Sequence, residues 1–532
     1  MIITNIVLTG ILLVIKIIII LKYECFVVIT FRYKLITFVN ELSNQNLSPY
    51  RKLFKNTLIY GLATVLPRMI SVILTPLYID TLKEQKDYGD VSIIFSYMVF
   101  FNVLLSYGME TAFFRFYGKE TNKENVISTA TITLFWSSIS FLVIALLFKN
   151  SIAQWSGFPV DYITYTIWIV TLDALVIIPF SKLRAESKPI KYSIIKISNV
   201  LVNIVFSLFF LIYLPNLAKQ NPDGFFNTIY FENFQIGYIF ISYLIASLFT
   251  FIVLLPNYFN INWKFDKALW KQMLRYGFPI LIAGIAFAIN EHFDKILLDW
   301  FHVSKDEIGA YSACYKIGVF MVLFRTAYTL GIEPFFFSHA GNENAQQTYA
   351  TITKYFVIFG SLMSLIIIAF IDILKRPIVP KAAYWSAIEV VPLIVYANFF
   401  LGIYTNLSVW YKLIDKTMIG AYISIIGAMI TLWLNYVLIG EYSYYGSAIA
   451  TLAAYGSMMV ISYYLGRKRY PIPYDFARIF SYLSASIVFS IVSFYVPYIR
   501  EHFLIKMLLI FAFLYLIYHF EKPTLLRIIK RK

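Results

Sequence analysis

Charged residues are scarce in this 532-residue sequence, at 14% of the total. Soluble domains carry about a quarter charged residues. Hydrophobic residues make up 60% of the chain and aromatic residues 19%. A water-soluble fold could not hide so much apolar surface, so the composition predicts a membrane protein that crosses the bilayer many times.

Metal-binding and catalytic signatures are also lacking. The two cysteines, Cys25 and Cys314, have no paired spacing, and HExxH, GxGxxG, GxxxxGK[ST] and GxSxG motifs are absent. The run "NEHFD" at 290–294 has no evident partner ligands for a metal ion. These absences disfavour an ATPase, a metalloprotease or a serine hydrolase. We therefore expect a protein that is not an enzyme and that has no catalytic residue, no metal site and no cofactor.

The net charge of +16 has a simple interpretation in a membrane protein. Lysine and arginine collect in cytoplasmic loops, where they meet anionic lipid. The dense basic clusters are short, "GRKRY" at 466–470 and the C-terminal "RIIKRK". A nucleic-acid partner is not expected, because the chain has no long basic run and no basic domain.

Long apolar runs dominate what the sequence does contain. A spanning helix needs about 20 mostly apolar residues. By this measure the chain from residue 50 onward contains about fourteen spans, and the fold class is an all-α polytopic membrane protein. The predicted spans are 55–79, 88–116, 126–148, 161–181, 190–214, 235–256, 273–299, 308–337, 349–374, 385–409, 418–439, 443–465, 475–497 and 503–520. Short connections and dense helices exclude a β-barrel.

The distribution of lysine and arginine predicts the orientation. With the start of the first span inside, the inner connections hold 25 basic residues and the outer ones 9. Both ends of the fourteen-helix core are then cytoplasmic. The exception is "LKRPIVPK" at 374–381, which places three basic residues on the outer side.

The N-terminal segment 1–49 is a separate hydrophobic extension. Its run "NIVLTGILLVIKIIIILKYECFVVIT" fits a signal sequence poorly, because it lacks a basic start and an A-x-A-like site. An extra helix and a mis-assigned translation start both remain open.

An internal repeat divides the core. "LIYGLATVLPRMISVILTPLY" followed by "YGDVSIIFSYMVF" is echoed by "LRYGFPILIAGIAFAINEHFD" followed by "IGAYSACYKIGVF". The paired glycines are Gly61 with Gly89 and Gly277 with Gly309. An even number of helices separates the copies, so we expect a parallel repeat about an axis along the membrane normal, with the substrate between the halves.

Polar residues recur on one side of several spans, where they face either a cavity or another helix. At 100° per residue, Glu110 continues the stripe of Ser92, Ser96, Asn102 and Ser106, which assigns it to a hydrated cavity. Arg115 lies about 140° away and is predicted to anchor the chain at the inner leaflet. The other stripes lie on the first span (Asn56 to Thr75), on the fifth span (Ser193 to Ser207) and on the seventh span (Asn290 to Asp299). Packing between helices is an equal alternative for the Ser, Thr and Asn positions.

Arginine and lysine inside spans are candidates for binding an anion. Arg68, next to Pro67, offers a planar fork of donors suited to phosphate, although an ion pair with an acid such as Glu110 is an alternative. Lys316 and Arg325 lie about 180° apart on one helix, so both cannot face one straight cavity wall. The candidate cavity residues are Arg68, Glu110, Lys196, Asn203, Asp294, Lys295 and Lys316. Asp173, Glu291 and Arg325 are candidates for gating or ion coupling.

The opening segments resemble a known family. "FKNTLIYGLATVLPRMISVILTPLYIDTL" and "YGDVSIIFSYMVFFNVLLSYGMETAFFRFYGKE" look like the start of Wzx-like polysaccharide and O-antigen flippases, relatives of multidrug and toxin extrusion transporters and lipid II flippases. "DKILLDWF" and "GAYSACYKIG" resemble the start of that family's second half. The resemblance covers about residues 50–520.

The resemblance implies two six-helix lobes, 50–260 and 261–470, around a central cavity, followed by two further helices and a basic tail at 471–532. It implies alternating access for an oligosaccharide on undecaprenyl pyrophosphate, moved from the inner to the outer leaflet of the bacterial cytoplasmic membrane. Arg68, Lys196, Lys295 and Lys316 are then the expected pyrophosphate contacts. Two of these, Arg68 and Lys295, lie in segments that match the family pattern. Asp294, the neighbour of Lys295, lies in the same matching segment. Membrane lipids, a polysaccharide polymerase and glycosyltransferases are the expected partners.

Two other functions remain open. A cation-coupled drug antiporter of the same fold would need acids in its cavity, and Glu110 and Asp173 keep it in consideration. A membrane glycosyltransferase or polymerase would need a large extramembrane loop, and the longest connection, 215–234, is short for that role. Fold alone does not decide between these functions.

Overall fold

The computed structural model describes residues 65, 69, 71–259, 261–338, 343–414 and 416–530. All of them belong to one compact unit, Ile59–Lys532. The N-terminal extension 1–49, Arg68 and most of the first predicted span lie outside the described residues. The expectations for these parts therefore stay predictions.

The described part of the chain is built from helices and contains no strand. In hydrocarbon every backbone N–H and C=O must be satisfied within the chain, and a helix does this locally. We number the helices in chain order: α1 (71–81), α2 (Gln85–Ser106), α3 (Met109–Lys119), α4 (Lys123–Leu147), α5 (Lys149–Ser156), α6 (Val160–Leu175), α7 (Ile177–Ala185), α8 (Pro189–Leu208), α9 (Leu214–Gln220), α10 (Phe225–Thr228), α11 (Gln235–Leu254), α12 (Pro256–Phe259), α13 (Lys267–Trp300), α14 (Lys305–Ser338), α15 (Ala345–Ala369), α16 (Ile371–Ile378), α17 (Val391–Leu407), α18 (Val409–Leu413), α19 (Met418–Arg469), α20 (Phe476–Tyr495), α21 (Pro497–Glu501) and α22 (Phe503–Lys530). A π-helical turn, Phe209–Tyr213, continues α8, and a 3₁₀ segment, Ala382–Val390, precedes α17.

The predicted all-α polytopic fold is confirmed. Twelve helices of the described residues are long and apolar enough to cross a membrane. One of them, α19, has 52 residues and is broken at Ser443, where φ is 48° and ψ is −136°. A straight helix of that length would extend roughly 78 Å, far more than one bilayer. The break therefore separates two spans, as the predicted spans 418–439 and 443–465 require.

The predicted single helix over 88–116 is wrong in one respect. The backbone leaves the helix at Tyr107 (φ 29°) and Gly108 (φ 72°), between α2 and α3. A 100° rotation per residue cannot be carried through such a break. The stripe that was extended from Ser106 to Glu110 therefore does not continue as one face.

Helices α1–α12 and α13–α22 are called the first and second helix groups below. In the first group α8 packs against α11, and α11 against α6. In the second group α19 packs against both α13 and α17, and α15 packs against α20. The main contact between the groups is made by α2, which lies against both α13 and α14.

Two of the three basic residues in the exceptional segment 374–381 have partners in the protein. Lys375 Nζ lies 2.6 Å from Asp372 Oδ1, and Lys381 Nζ donates to the carbonyl oxygen of Leu82 at 2.7 Å. These two contacts hold the segment at the end of the helix bundle where the α1–α2 connection also lies. We call this the predicted outer end and the opposite one the predicted inner end.

The last helix is fastened to the second group through one buried carboxylate. Glu521, which is 2% exposed, accepts hydrogen bonds from Lys354 of α15 at 2.8 Å and from Arg478 of α20 at 3.1 Å. Tyr482 donates to the same carboxylate at 3.3 Å. Three helices therefore meet at a single charge.

Replacing this carboxylate should loosen the C-terminal helix. Glu521→Ala leaves Lys354 buried without its counter-ion, which we expect to lower the free energy of unfolding by about 3 kcal/mol. Thermal unfolding of the purified protein in detergent measures the change. Glu120→Ala, at an exposed carboxylate near the same predicted inner end, is the control. Equal unfolding temperatures for the two variants would contradict the anchoring role.

Candidate functional site

At the predicted outer end, the two helix groups meet backbone to backbone. A Cβ added at Gly89 of α2 would overlap the carbonyl oxygen of Lys305, and one at Gly309 of α14 would overlap that of Gln85. The Lys305 ammonium lies 2.7 Å from Asp90, which adds an ion pair across the contact. We call these residues the outer contact. Gly89 and Gly309 are two of the four glycines of the internal repeat, and their lack of a side chain permits this approach.

A second contact lies at the predicted inner end. A Cβ at Gly108 would overlap the carbonyl oxygen of Gly277 in α13, and the φ of 72° at Gly108 also favours glycine. Beside it, the Arg115 guanidinium lies over the Tyr276 ring, 4.2 Å from the centroid. We call these residues the inner contact. Arg115, predicted as a lipid anchor, is thus also engaged by the second helix group, which its sequence context did not indicate.

A polar link between the groups supports the inner contact. Asp266, the N-cap of α13, accepts hydrogen bonds from the backbone N–H groups of Ala268 and Leu269 at 2.9 and 3.0 Å. It also accepts one from the Asn125 side chain of α4 at 2.9 Å. The Leu269 and Asn125 donors hold the pKa of Asp266 below its ordinary value. Since the carboxylate remains charged, it caps α13 and ties that helix to α4.

The polar residues that were predicted as site residues in the first helix group contact mainly other residues of that group. Asp173 accepts a hydrogen bond from Ser247 at 2.8 Å and another from Asn102. Lys196 lies over the Phe180 ring, 4.3 Å from its centroid. Asp173 is also the largest favourable electrostatic neighbour of Lys196.

Packing accounts for part of the predicted fifth-span stripe. Asn199 donates to the Ala246 carbonyl and to Thr250, both at 2.9 Å, which joins α8 to α11. Asn203 accepts from Ser207 at 3.4 Å, and Ser207 in turn lies 3.4 Å from the Tyr78 hydroxyl. Asn199 thus binds a neighbouring helix directly and Asn203 is linked to α1 through Ser207, as in the packing alternative that the sequence left open.

Glu110 is engaged by a residue that sequence reasoning missed. Its carboxylate lies 2.7 Å from Arg184 of α7, with both side chains nearly half exposed. Arg184 also lies over the Phe114 ring at 4.8 Å. The predicted alternative of a pair between Arg68 and Glu110 stays untested, because Arg68 lies outside the described residues.

The second group brings together most of its predicted charged residues. Asp294 is buried and lies 3.0 Å from Lys295 Nζ, while the Tyr311 hydroxyl donates to Asp294 at 2.7 Å. The Lys295 ammonium also lies 4.5 Å from the centroid of the Tyr315 ring. The two tyrosines come from "GAYSACYKIG", four residues apart on α14, and this helical spacing is the signal that could have identified them.

A neighbouring ion pair joins the same two helices. Arg325 of α14 lies 2.9 Å from Glu291 of α13, and both side chains are largely buried. His292, on the next position of α13, is partly exposed and lies 3.7 Å from the other Glu291 oxygen. Lys316 and Arg325 were predicted not to face the same cavity wall. The ion pair of Arg325 with Glu291, in which Lys316 takes no part, agrees with that prediction.

Lys316 differs from the other charged residues of this cluster. Within the described part of the chain its ammonium has no hydrogen bond or ion pair, and its electrostatic neighbour is the like charge of Lys295. We define the charge cluster as Glu291, Asp294, Lys295, Lys316 and Arg325. With His292 neutral, three cations face two carboxylates, so the cluster carries one uncompensated positive charge. Asp299 lies further along α13, where Lys305 is its main favourable neighbour.

Among the described residues no group of three or more His, Cys, Asp or Glu side chains could hold a metal ion. The charge cluster and its neighbours offer buried ion pairs, tyrosine hydroxyls and one unpaired ammonium within the second helix group. An ammonium of this kind can bind an anionic group.

Comparison with known families matches most of the core. The profile of the polysaccharide biosynthesis protein family matches residues 53–338, and the MatE family profile matches residues 279–437. A comparison with curated proteins returned no match.

Solved structures share the fold. The chain aligns with a structure of the lipid II flippase MurJ in an inward closed conformation, with a TM-score of 0.67 and 14% identity over 87% of this chain and 99% of that one. A multidrug resistance MATE family transporter in an inward-facing conformation gives a TM-score of 0.57 at 12% identity, over 79% and 96% of the two chains. A MOP superfamily transporter from Pyrococcus furiosus gives 0.55 at 14% identity, over 78% and 95%.

A side chain at the outer contact should push the helix groups apart. In a background without the native cysteines, Asp90→Cys with Lys305→Cys should be joined by a short flexible bis-thiosulfonate cross-linker, because the native side chains bridge this gap with a 2.7 Å ion pair. Gly309→Leu should lower the yield of this cross-link about tenfold, which corresponds to a loss of roughly 1.4 kcal/mol in the closed contact.

Gly331→Leu is the matched control, since Gly331 lies on the same helix and a Cβ there meets nothing within 4 Å. Cross-link yield on a non-reducing gel, normalised to protein in the membrane, is the measurement. Similar yields in both leucine variants would show that the outer contact does not hold the groups together.

Proposed function

This chain belongs to the polysaccharide biosynthesis protein family of the MOP superfamily, and on that premise we propose that it flips a lipid-linked oligosaccharide across a membrane. Family membership and fold support a flippase or transporter rather than an enzyme. The proposal adds the substrate class: an oligosaccharide joined through pyrophosphate to a polyprenol such as undecaprenol.

The observation that carries the substrate class is the unpaired ammonium of Lys316. In a low-dielectric site an uncompensated cation is costly, and a bound anion removes that cost. Pyrophosphate carries several negative charges and accepts charge-assisted hydrogen bonds. Lys316 and Lys295 lie on adjacent helices and would bind the pyrophosphate together, while the hydroxyl of the partly buried Tyr315 offers a polar contact for sugars.

The outer and inner contacts supply the elements that alternating access requires. In the described conformation the second helix group is touched at the outer contact by the start of α2 and at the inner contact by Gly108, which follows α2, and by Arg115 of α3. Opening the inner contact would admit a substrate from the inner leaflet, and opening the outer contact would release it. Shifting the ratio of the outward-open to the inward-open state from 1:99 to 99:1 takes about 5.5 kcal/mol of differential binding or coupling energy.

We place the protein in the bacterial cytoplasmic membrane, with both ends of the core on the cytoplasmic side. The excess of lysine and arginine in the inner connections supports this orientation. The division into lobes 50–260 and 261–470 and a C-terminal part 471–532 follows the internal repeat and is part of the proposal. Membrane lipids are partners by necessity, and a polysaccharide polymerase and glycosyltransferases are proposed partners.

Cation-coupled antiport is the second candidate, and Asp173 is the observation that favours it. This carboxylate lies inside the first helix group, held by hydroxyl and amide donors, and has no ion pair among the described residues. Such a group could exchange a proton or a cation. The MatE profile match to 279–437 is compatible with this chemistry.

Removing the charge of Lys316 tests the substrate assignment. We expect Lys316→Gln, introduced in the chromosome, to lower surface glycan roughly ten- to a hundredfold, the effect of losing a hydrogen bond to a charged group. Lipid-linked oligosaccharide should accumulate in the inner leaflet. Lys316→Arg keeps the charge and should retain most of the export.

Lys271→Gln, at an exposed position on α13, is the matched control for protein level and insertion. Normal glycan in Lys316→Gln cells would sink the anion-binding role. Asp173→Asn separates the two candidate functions: unchanged glycan export together with loss of drug resistance would favour the antiporter.

A further inference from the structure

A charged pocket lies at the predicted outer end, away from the charge cluster. It is a cleft of about 790 Å³ formed by α16, the 3₁₀ segment and the adjoining ends of α20, α21 and α22. Charged residues line it, together with the aromatic side chains of Trp385, Phe494, Tyr495 and Phe503. Aromatic rings of this kind are typical of the boundary between hydrocarbon and headgroups.

Two of the three carboxylates that line the cleft, those of Asp372 and Glu389, are already engaged, and the third, Glu501, is exposed. Asp372 Oδ1 lies 2.6 Å from Lys375 Nζ, and Oδ2 accepts from Arg500 Nε at 2.9 Å. Burial would raise the pKa of Asp372, but the hydrogen bonds from Arg500 and Lys375 outweigh it and lower the pKa to about 2. Glu389 accepts a hydrogen bond from Tyr445 at 3.1 Å. One carboxylate thus holds two cations, which leaves net positive charge around it.

The ammonium of Lys506 is the unsatisfied group. Lys506 is 5% exposed, lines the cleft, and makes no side-chain hydrogen bond or ion pair with any residue that the structure describes. Its electrostatic neighbours are Asp372, already held by Lys375 and Arg500, and those same two cations. Four cations and three carboxylates line the cleft in all, with Arg376 exposed at its edge. A buried ammonium in this position is stabilised by an anion.

The lipid-facing surface beside the cleft indicates where such an anion comes from. Three hydrophobic side chains that line the cleft, Ile373, Tyr495 and Phe503, are 55%, 50% and 53% exposed. They give the cleft that Lys506 lines an open hydrophobic rim. A molecule with a phosphate in the cleft would therefore have hydrophobic surface there for the first part of its hydrocarbon chains.

We propose that this cleft binds the phosphate of a membrane-lipid headgroup in the outer leaflet, with Lys506 as its principal contact. The site does not depend on which substrate the protein transports. Two lipids present the required chemistry: an anionic phospholipid, and a polyprenyl phosphate carrier after its passage. Free phosphate lacks the chains that the hydrophobic rim of the cleft would accommodate.

Titration of the purified full-length protein in detergent tests the site. Dioleoyl-phosphatidylglycerol should raise the thermal unfolding temperature in a saturable way, while dioleoyl-phosphatidylcholine and inorganic phosphate at the same concentrations should not. Lys506→Met should weaken the phosphatidylglycerol effect at least about tenfold, the consequence of losing a charge-assisted hydrogen bond. Since this substitution removes a buried charge, the variant should remain folded.

Lys219→Met, at an exposed position in the predicted outer connection 215–234, is the matched control and should respond like the original protein. A parallel titration with undecaprenyl phosphate compares the two sources: tighter binding than phosphatidylglycerol assigns the site to the carrier, and weaker or equal binding assigns it to phospholipid. An equal response to phosphatidylcholine, to inorganic phosphate, or in Lys506→Met would overturn the proposal.

Discussion

The close approach of α2 to α13 and α14 is the contact on which the arrangement of the two helix groups depends. At Gly89 and Gly309, and again at Gly108 and Gly277, backbone meets backbone with no room for a side chain. Packing between apolar helices in lipid gains little from the hydrophobic effect, so close van der Waals contact and polar links must hold it. The Lys305–Asp90 pair and the Asn125–Asp266 hydrogen bond supply those links at opposite ends. Because both contacts are narrow, a small rotation of either group could open one end.

The cost of a charge inside an apolar protein explains most of the charged positions. Glu291 with Arg325, Asp294 with Lys295, and Glu521 with Lys354 and Arg478 each form ion pairs in which the side chains compensate one another. Lys316 and Lys506 lack such a partner in the described part of the chain. The two lysines lie in different parts of the second group, one in the charge cluster of α13 and α14 and one at the predicted outer end. Their shared lack of a counter-ion is why both proposals assign them an anion.

Some features of the fold and of the candidate site could be predicted from the sequence, and others could not. The apolar runs predicted the helices, and the repeat singled out glycines that prove to be contact points. Asp294 and Lys295 were predicted as cavity residues, and the structure pairs them with each other. The stripe ending at Glu110 was wrong because the positive φ angles at Tyr107 and Gly108 break the helix, and a rotation counted along an unbroken helix cannot anticipate that. The pairing of Glu110 with Arg184 joins residues 74 positions apart, so no local pattern could reveal it.

By itself the sequence determined the class of protein, its helices and its family, because composition, run length and motif are properties of the chain read in order. It also narrowed the charged residues to a short set, since any charge in an apolar span is conspicuous. Only the tertiary structure decided which of those charges neutralise one another, because ion pairing depends on distances between helices that are far apart in the chain. It alone distinguished Lys316 and Lys506 from the other lysines. A lysine in the sequence is the same whether its counter-ion is present or missing, and that difference exists only after the helices have packed.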